Sequence, residues 1–227
     1  MSNADAVRKM IHRPFLAIVL AASVLGLTGQ PAHSAPTNKL TNKRFLYVQP
    51  LGKELPDADV AMVKEALVTF FGLEVKLLPR LPLPREAYYK PRRRYRAEKL
   101  LRYLARRMPA DGVRILGLTG VDISTTKGRY RDWGILGLAT LDGSACVISA
   151  FRCRKRSRGQ IHSRIRLGKV AVHEIGHTLG LPHCPVRGCI MEDARGKVKT
   201  CDREYDICPR CRKLLKRWGR SIPKTPK

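Results

Sequence analysis

The segment HEIGHTLGLPH brings three histidines and a glutamate together within eleven residues. His173 and His177 are four residues apart, so on a helix both imidazoles project from one face and can bind one Zn²⁺. Glu174 follows the first of them and can act as a general base toward a water molecule at that metal. Gly180 tolerates the positive φ with which a helix ends and turns back, and this would bring His183 in as a third ligand. Residues of these types at this spacing predict the active site of a zinc peptidase.

The residues that follow carry a methionine and a cysteine pattern that narrow this prediction. HExxHxxGxxH is the metzincin signature, which also requires a Met-turn, and Met191 lies eight residues after His183. His183 is followed by a cysteine, four residues, the sequence CIM, a spacer of 16 residues and CPRC. This arrangement resembles the archaemetzincin family of metzincin zinc metallopeptidases, although the spacer departs slightly from the family's pattern. The segments LTGVDIS, GILGLAT and CVISAFR also resemble that family's sequences.

The resemblance implies a metzincin-like zincin that hydrolyses a peptide or protein substrate and holds two zinc ions per chain. The catalytic zinc would lie on His173, His177 and His183, with Met191 packed beneath it in the Met-turn. The second zinc would be structural, and its ligands would be four cysteines: Cys184, Cys189, Cys208 and Cys211. The resemblance does not distinguish endopeptidase from aminopeptidase action.

The four cysteines predict a metal site without reference to the family. Two short-spaced cysteine pairs about twenty residues apart are typical of a Cys₄ structural zinc site. Such a site, within residues 184–211, would fasten the segment carrying His183 and Met191 to a small C-terminal subdomain. The alternative is two disulfide bonds, which an exported chain would permit. A redox role for CPRC lacks the thioredoxin-like context that it requires.

The chain is strongly basic, with 45 Lys and Arg residues against 18 Asp and Glu residues and a formal net charge of +27. Such a surface should associate with polyanions such as nucleic acid, anionic lipid or acidic peptides. An exported basic zinc-binding protein, binding a polyanion or nucleic acid on a peptidase-like fold, is therefore the alternative function. The complete HExxHxxGxxH set favours hydrolysis, since its glutamate and histidines would otherwise be idle.

Residues 1–34 have the layout of a secretory signal peptide. Arg8, Lys9 and Arg13 precede the apolar run FLAIVLAASVLGL, and the sequence AHS offers small residues before a cleavage site ahead of Ala35. The run is short for a transmembrane helix, so we expect no transmembrane span in the mature chain and an exported, periplasmic or extracellular protein. An uncleaved anchor or a mitochondrial presequence is the alternative. Residues 35–227 would then form one catalytic domain, which we expect to be a monomer.

Strands and helices alternate ahead of the histidine motif, which predicts an α/β (α+β) fold with a mixed, mostly parallel sheet. In metzincins one short antiparallel edge strand lies above the active-site helix, and an extended substrate pairs with it. GILGLAT at 134–140 is the candidate for that edge, and the active-site helix is predicted over 165–179. The proline-rich stretch 78–91 is expected to be irregular. The other predicted strands cover 45–52, 73–78, 113–124 and 145–152, and the other helices cover 57–71, 95–107 and a segment from 209.

The basic segment RCRKRSRGQIHSRIR at 152–166 has two interpretations. It is either a solvated connection whose charge is incidental, or a polyanion-binding rim beside the cleft. In the second case it would act together with the arginines that precede the second helix: Arg92, Arg93, Arg94 and Arg96.

Three cysteines lie outside the predicted Cys₄ site. Cys146 is expected to be a small buried hydrophobic residue. Cys201 lies in the spacer, where it could substitute for a zinc ligand or pair with Cys153.

Overall fold

The computed structural model of the chain describes residues 45–203 and 206–217, so the predicted signal peptide lies outside the described residues. Among the described helices, none is both long enough and apolar enough to cross a membrane. The strands are β1 (Phe45–Leu51), β2 (Val75–Leu77), β3 (Tyr88–Tyr89), β4 (Arg94–Arg96), β5 (Gly112–Thr119), β6 (Ile123–Lys127), β7 (Tyr130–Ile135), β8 (Gly137–Ala139) and β9 (Ala145–Ser149). The α-helices are α1 (Asp57–Phe71), α2 (Ala97–Ala105), α3 (Ala150–Cys153), α4 (Gln160–Thr178) and α5 (Pro209–Arg217), and short 3₁₀ turns cover Arg85–Ala87, Lys90–Arg92 and Val198–Asp202.

A five-stranded sheet lies at the centre of the fold, with the strand order β2-β1-β5-β9-β8. The first four strands run parallel, and β8 pairs antiparallel with β9 at the edge. The alternation of strands with helices produces this parallel arrangement, because each crossover returns the chain in the same direction. The predicted fold class is confirmed, and the antiparallel edge strand lies within the predicted segment 134–140, of which only residues 137–139 form it while 134–135 belong to β7 of a second sheet.

The central sheet is covered by helices on both faces. Leu116 and Leu118 of β5 pack with α1 and α4, whereas Ile115 points the other way and packs with α2. Because both faces are buried, the inner strands consist of nearly continuous apolar residues rather than alternating ones. The helix α4 is anchored to this layer by a buried face that includes Val170 and Ile175. This anchoring fixes the orientation of its histidines.

A second sheet lies beside the first, and the sequence did not predict it. Its strand order is β3-β4-β6-β7, with β4 parallel to β6 and the other pairs antiparallel. The proline-rich stretch 78–91 was expected to be irregular, but it carries β3 between two 3₁₀ turns. The strand predicted over 113–124 is also divided between the sheets, because β5 ends at Thr119 and β6 begins at Ile123. The hairpin formed by β6 and β7 reaches the histidine motif.

The basic segment 152–166 is a solvated connection only in part, because residues 154–159 form a mostly exposed connection between α3 and α4. Residues 160–166 form the first turns of α4, which begins five residues earlier than predicted. Arg166 is only 2% exposed and makes a bidentate pair with Asp202, with both Nε–Oδ1 and Nη2–Oδ2 at 2.7 Å. Its Nη1 also donates to the carbonyl oxygens of Cys153 and Lys155. Arg166 therefore joins the start of α4 to the turn before α5.

Other arginines of the predicted rim are also engaged. Asp122 accepts hydrogen bonds from Arg94 and Arg152, and the Arg94 guanidinium also contacts Asp132. Asp59 pairs with Arg154 and Arg164. These arginines are therefore held by carboxylates, and polyanion binding by the segment stays a prediction.

The Asp202→Asn variant is expected to be destabilised by about 2–3 kcal/mol at pH 7, because it leaves the charge of Arg166 buried without its carboxylate. This loss of stability is smaller than the loss expected for a fully buried ion pair, since the Asp202 side chain is 30% exposed. Urea denaturation would measure the difference. A matched Asp57→Asn variant should change stability little, because the carboxylate paired there with Arg80 is 97% exposed. Equal losses in the two variants would contradict this account.

The contact between Arg166 and Asp202 also predicts how stability depends on pH. The hydrogen bond from Arg166 lowers the pKa of Asp202 from its ordinary value of 3.8 to about 2, and burial opposes this shift. A carboxylate whose pKa is lower in the folded state stabilises the protein above its unfolded pKa and loses that contribution as pH falls through the folded value. The stability difference between wild type and Asp202→Asn should therefore be full above about pH 4 and shrink toward pH 2.

Candidate metal centre and cleft

The two histidines of α4 are held in fixed orientations by backbone carbonyl groups. His173 Nδ1 lies 2.7 Å from the carbonyl oxygen of Ile190, and His177 Nδ1 lies 2.7 Å from that of Leu181. A carbonyl oxygen can only accept, so each Nδ1 carries the proton and each Nε2 presents its lone pair. The α4 helix ends at Thr178, and Gly180 takes a φ of +90°, which brings the chain back toward the same side.

The remaining ring nitrogens converge on one point. His173 Nε2 and His177 Nε2 are 3.0 Å apart, and one nitrogen of His183 lies within 4.8 Å of both. Two lone pairs facing each other at this distance repel unless a cation lies between them. Three imidazoles with an open side fit the preference of a catalytic zinc. The structure thus brings together all three predicted histidines in an arrangement that could hold one zinc ion.

Burial keeps the histidines of α4 neutral. It lowers the pKa of His173 from 6.5 to about 3, with a further lowering from His177, and the hydrogen bond to Ile190 opposes this shift in part. Burial also lowers the pKa of His177. Neutral imidazole is the form that binds a metal, so the site is prepared for metal binding near neutral pH.

The Glu174 carboxylate is enclosed between α4 and the edge strand β8. The residue is 6% exposed, and a Cβ atom on Gly137 would lie 2.6 Å from Glu174 Oε1. The backbone of β8 therefore passes directly against the carboxylate. Burial raises the pKa of Glu174 to about 8, whereas a cation at the neighbouring histidines would act in the opposite direction. Glu174 thus lies beside both the histidine cluster and the edge strand.

Met191 lies beneath the histidine cluster and is fully buried. A Cβ atom on Gly176 would lie 2.5 Å from Met191 Sδ, so the methionine packs against α4 between the two histidines, where any larger residue would collide. The Met191 carbonyl oxygen accepts a hydrogen bond of 2.8 Å from the amide of Cys184. The methionine segment is therefore tied to the residue that follows His183.

The four cysteines of the second predicted site also converge. The Sγ atoms of Cys184, Cys189, Cys208 and Cys211 all lie within 4.8 Å of one another. Cys184 and Cys208 are 3.6 Å apart, and Cys189 and Cys211 are 3.9 Å apart. Four sulfurs around one zinc at about 2.3 Å would be separated by about 3.8 Å. The backbone amides of Val186 and Cys208 point at two of the sulfurs, as expected for thiolates.

The alternative cysteine assignments do not agree with the structure. The sulfur separations of 3.6 and 3.9 Å are far above the roughly 2.05 Å of a disulfide bond, so the two-disulfide alternative is wrong. Cys201 lies outside the four-sulfur cluster and forms no disulfide with Cys153. Cys146 is fully buried in β9, as expected, and Cys153 is fully buried in α3.

A cleft of about 220 Å³ opens beside the histidines. Its walls come from α4, β8, the β6–β7 hairpin and the segment that follows Met191. Trp133, Ile135 and Val170 provide apolar lining, and three charged residues lie at the opening: Lys127, Asp193 and Arg195. The sequence did not predict the hairpin contribution, because its strands alternate too weakly to show which face is buried.

Most of the chain is similar to known proteins. Residues 60–217 match the sequence profile of peptidase family M54. The archaemetzincin of Haloquadratum walsbyi is 31% identical over 175 residues, which cover 74% of this chain and 97% of that protein.

Solved structures show the same similarity in three dimensions. The crystal structure of archaemetzincin from Methanopyrus kandleri aligns with a TM-score of 0.65 at 31% identity, covering 80% of this chain and 97% of the other. That of archaemetzincin from Archaeoglobus fulgidus aligns with a TM-score of 0.62 at 33% identity, covering 74% and 97% of the two chains. The residues matched by the family profile include the histidine motif, the methionine and the four clustered cysteines.

Proposed function

This chain belongs to peptidase family M54, a family of zinc metallopeptidases, and we propose from this that it hydrolyses peptide bonds at the three-histidine centre with Glu174 as the general base. The observation that carries the proposal is the pair of Nε2 lone pairs that face each other at 3.0 Å on α4. Glu174 lies next to them in the chain and against the edge strand. We assign His173, His177 and His183 as the ligands of the catalytic zinc.

Zinc, when bound, would supply a positive charge that activates water and polarises the scissile carbonyl group. Glu174 accepts the proton of the attacking water while the water oxygen bonds to the carbonyl carbon. The same carboxyl group then returns that proton to the amide nitrogen, and the carbon–nitrogen bond breaks. The enclosure of Glu174 by Gly137 and α4 restricts the carboxylate to one place, which suits a group that must both receive and deliver a proton.

The edge strand β8 is proposed to align the substrate. It is the last strand of the central sheet and pairs on one side with β9. Its other side borders the cleft beside Glu174. An extended peptide could add to this edge through main-chain hydrogen bonds, which would place a peptide carbonyl group near the histidines independently of side-chain identity.

We further assign a second, structural zinc to Cys184, Cys189, Cys208 and Cys211, which makes two zinc ions per chain. All four ligand positions would come from protein, as in sites that stabilise rather than catalyse. The backbone hydrogen bond from Cys184 to Met191 connects this site to the methionine that supports α4. The structural zinc would therefore hold both Met191 and His183 in place.

Export of the protein remains a proposal that rests on residues 1–34 alone. The basic start, the short apolar run and the small residues before Ala35 support a cleaved signal peptide. An association with polyanions rests on the net charge of +27. A protein whose only function is to bind polyanions would bind zinc and leave peptides intact.

Digestion of a peptide library, read by mass spectrometry, tests the proposed function. The zinc-loaded chain should cleave a subset of peptides, a chelator should abolish cleavage, and added zinc should restore it. Absence of cleavage by a chain that carries its zinc would contradict the proposal and favour the basic binding protein.

A further inference from the structure

We infer that the cleft selects peptides with an acidic side chain close to the scissile bond, and that Lys127 and Arg195 are the residues that select it. This inference rests on the proposed function, because it names the substrate class of the same site. Both residues line the cavity that also contains His173 and Glu174. A side chain that enters this cavity therefore belongs to a residue near the bond that is cut.

The two cations come from different parts of the chain, which pack together at one aromatic ring. Lys127 ends β6, and its Nζ lies 5.7 Å from the centroid of Trp133. Arg195 precedes Gly196, on which a Cβ atom would lie 3.4 Å from Trp133 Cζ2. Trp133 thus packs the hairpin against the segment after Met191, and each of these two segments contributes one cation to the cleft.

The backbone at Arg195 is held in a defined turn. Arg195 has a φ of +45°, which is uncommon for a residue with a side chain. Its amide donates a hydrogen bond of 2.8 Å to Asp193 Oδ1, and this contact stabilises the turn. The position of Arg195 at the cleft is therefore set by local structure and by the packing on Trp133.

The two cations of this opening differ from the buried and half-buried arginines of the protein. Away from the cleft, buried and half-buried arginines face carboxylates, as Arg152 faces Asp122 and Arg166 faces Asp202. Within the described part of the chain, neither Lys127 nor Arg195 has a carboxylate oxygen within 4.0 Å of its charged nitrogens.

Asp193 is the one acidic residue besides Glu174 among the described residues that line the cavity. Glu174 is enclosed beside the histidines, and at the opening Asp193 offsets one of the two cations, so the opening itself keeps one positive charge.

A carboxylate on the substrate would complete this arrangement. It could accept hydrogen bonds from the ammonium group of Lys127 and from the guanidinium group of Arg195, and such charge-assisted bonds are stronger than neutral ones. The apolar wall formed by Trp133 and Ile135 would cover the aliphatic part of a glutamate side chain. A lysine at the same substrate position would meet two like charges instead.

The test uses a peptide that the zinc-loaded full chain cleaves, with Glu, Gln or Lys placed in turn at each of the two residues on either side of the scissile bond. At one position we expect kcat/KM for Glu to exceed that for Gln about tenfold, as two partly exposed ion pairs would give, with Lys slower still. The preference should shrink as salt rises from 50 mM to 1 M, because screening weakens exposed charge pairs.

The double variant Lys127→Glu and Arg195→Glu should lose the preference for Glu and favour Lys. The control is Lys53→Glu with Lys64→Glu, which changes the net charge equally at exposed positions away from the cleft and should keep the wild-type order. Equal rates for Glu and Gln peptides in wild type would overturn the inference and leave the peptidase function intact. The inference would also be overturned if the Lys53→Glu and Lys64→Glu control lost the preference for Glu as strongly as the double variant at the cleft, since net charge would then be the cause. If the zinc-loaded chain cleaves no peptide, both the inference and the proposed function are wrong.

Discussion

Replacing Glu174 with glutamine should lower kcat/KM for peptide hydrolysis by about 10²–10⁴-fold, the contribution typical of a positioned general base. Glutamine has nearly the same shape as glutamate, so it can occupy the space between α4 and Gly137. It cannot take a proton from water. The histidines and their carbonyl partners are untouched, so zinc content and melting temperature should stay close to those of wild type.

A matched Glu65→Gln variant controls for the loss of one carboxylate. Glu65 lies on α1, outside the residues that line the cleft, so its replacement should leave hydrolysis unchanged. Steady-state hydrolysis of one peptide that wild type cleaves is measured for wild type and for both variants. Wild-type activity in Glu174→Gln would exclude Glu174 as the base. Loss of zinc from the same variant would mean that its effect is structural.

Replacing Cys211 with serine should remove the structural zinc and lower the melting temperature by about 10 °C or more. Binding of a structural zinc contributes a large part of the folding free energy in small zinc domains, and a loss of at least about 4 kcal/mol corresponds to that shift in a chain of this size. Hydrolysis should fall too, because Cys184 leads directly from His183 and its amide holds the Met191 carbonyl group. Thermal unfolding followed by circular dichroism measures the shift.

Two variants separate this effect from general damage. Cys153→Ala removes a buried thiol far from the four-sulfur cluster in the chain and should cost only about 1 kcal/mol. His177→Ala removes a ligand of the other site, so hydrolysis should disappear while the melting temperature changes less than in Cys211→Ser. A Cys211→Ser protein as stable as wild type would mean that the four sulfurs do not hold a stabilising metal.

The elements that could be predicted from the sequence are those with strong local signals. The strands of the central sheet are continuous apolar runs, and α4 carries a fixed motif that ends at Gly180, so their order and the parallel sheet followed directly. The edge strand was also placed correctly within 134–140, because its position above the histidine helix depends on chain order. The predicted residues come together in both candidate metal-binding clusters, since metal ligands must have particular types and spacings.

The features that the sequence did not reveal depend on long-range contacts. The strands β3 and β4 are two and three residues long, too short to show a period, and they form only because the β6–β7 hairpin offers an edge. The burial of Arg166 could not be inferred from a segment dense in arginine, because its carboxylate partner Asp202 is 36 residues away. The cleft opening has the same origin, since Lys127 and Arg195 are 68 positions apart in the chain and line one cavity only in the folded protein.

The central claim is that the histidines of α4 hold the catalytic zinc. The number of zinc ions per chain tests this claim most directly, and mass spectrometry of the metal measures it in wild type and in His177→Ala. We predict two zinc ions in wild type and one in the variant, with hydrolysis confined to wild type. Two zinc ions in a His177→Ala protein that still hydrolyses peptides would contradict the assignment of the catalytic centre to the histidines of α4. A variant without any zinc would contradict the independence of the two sites.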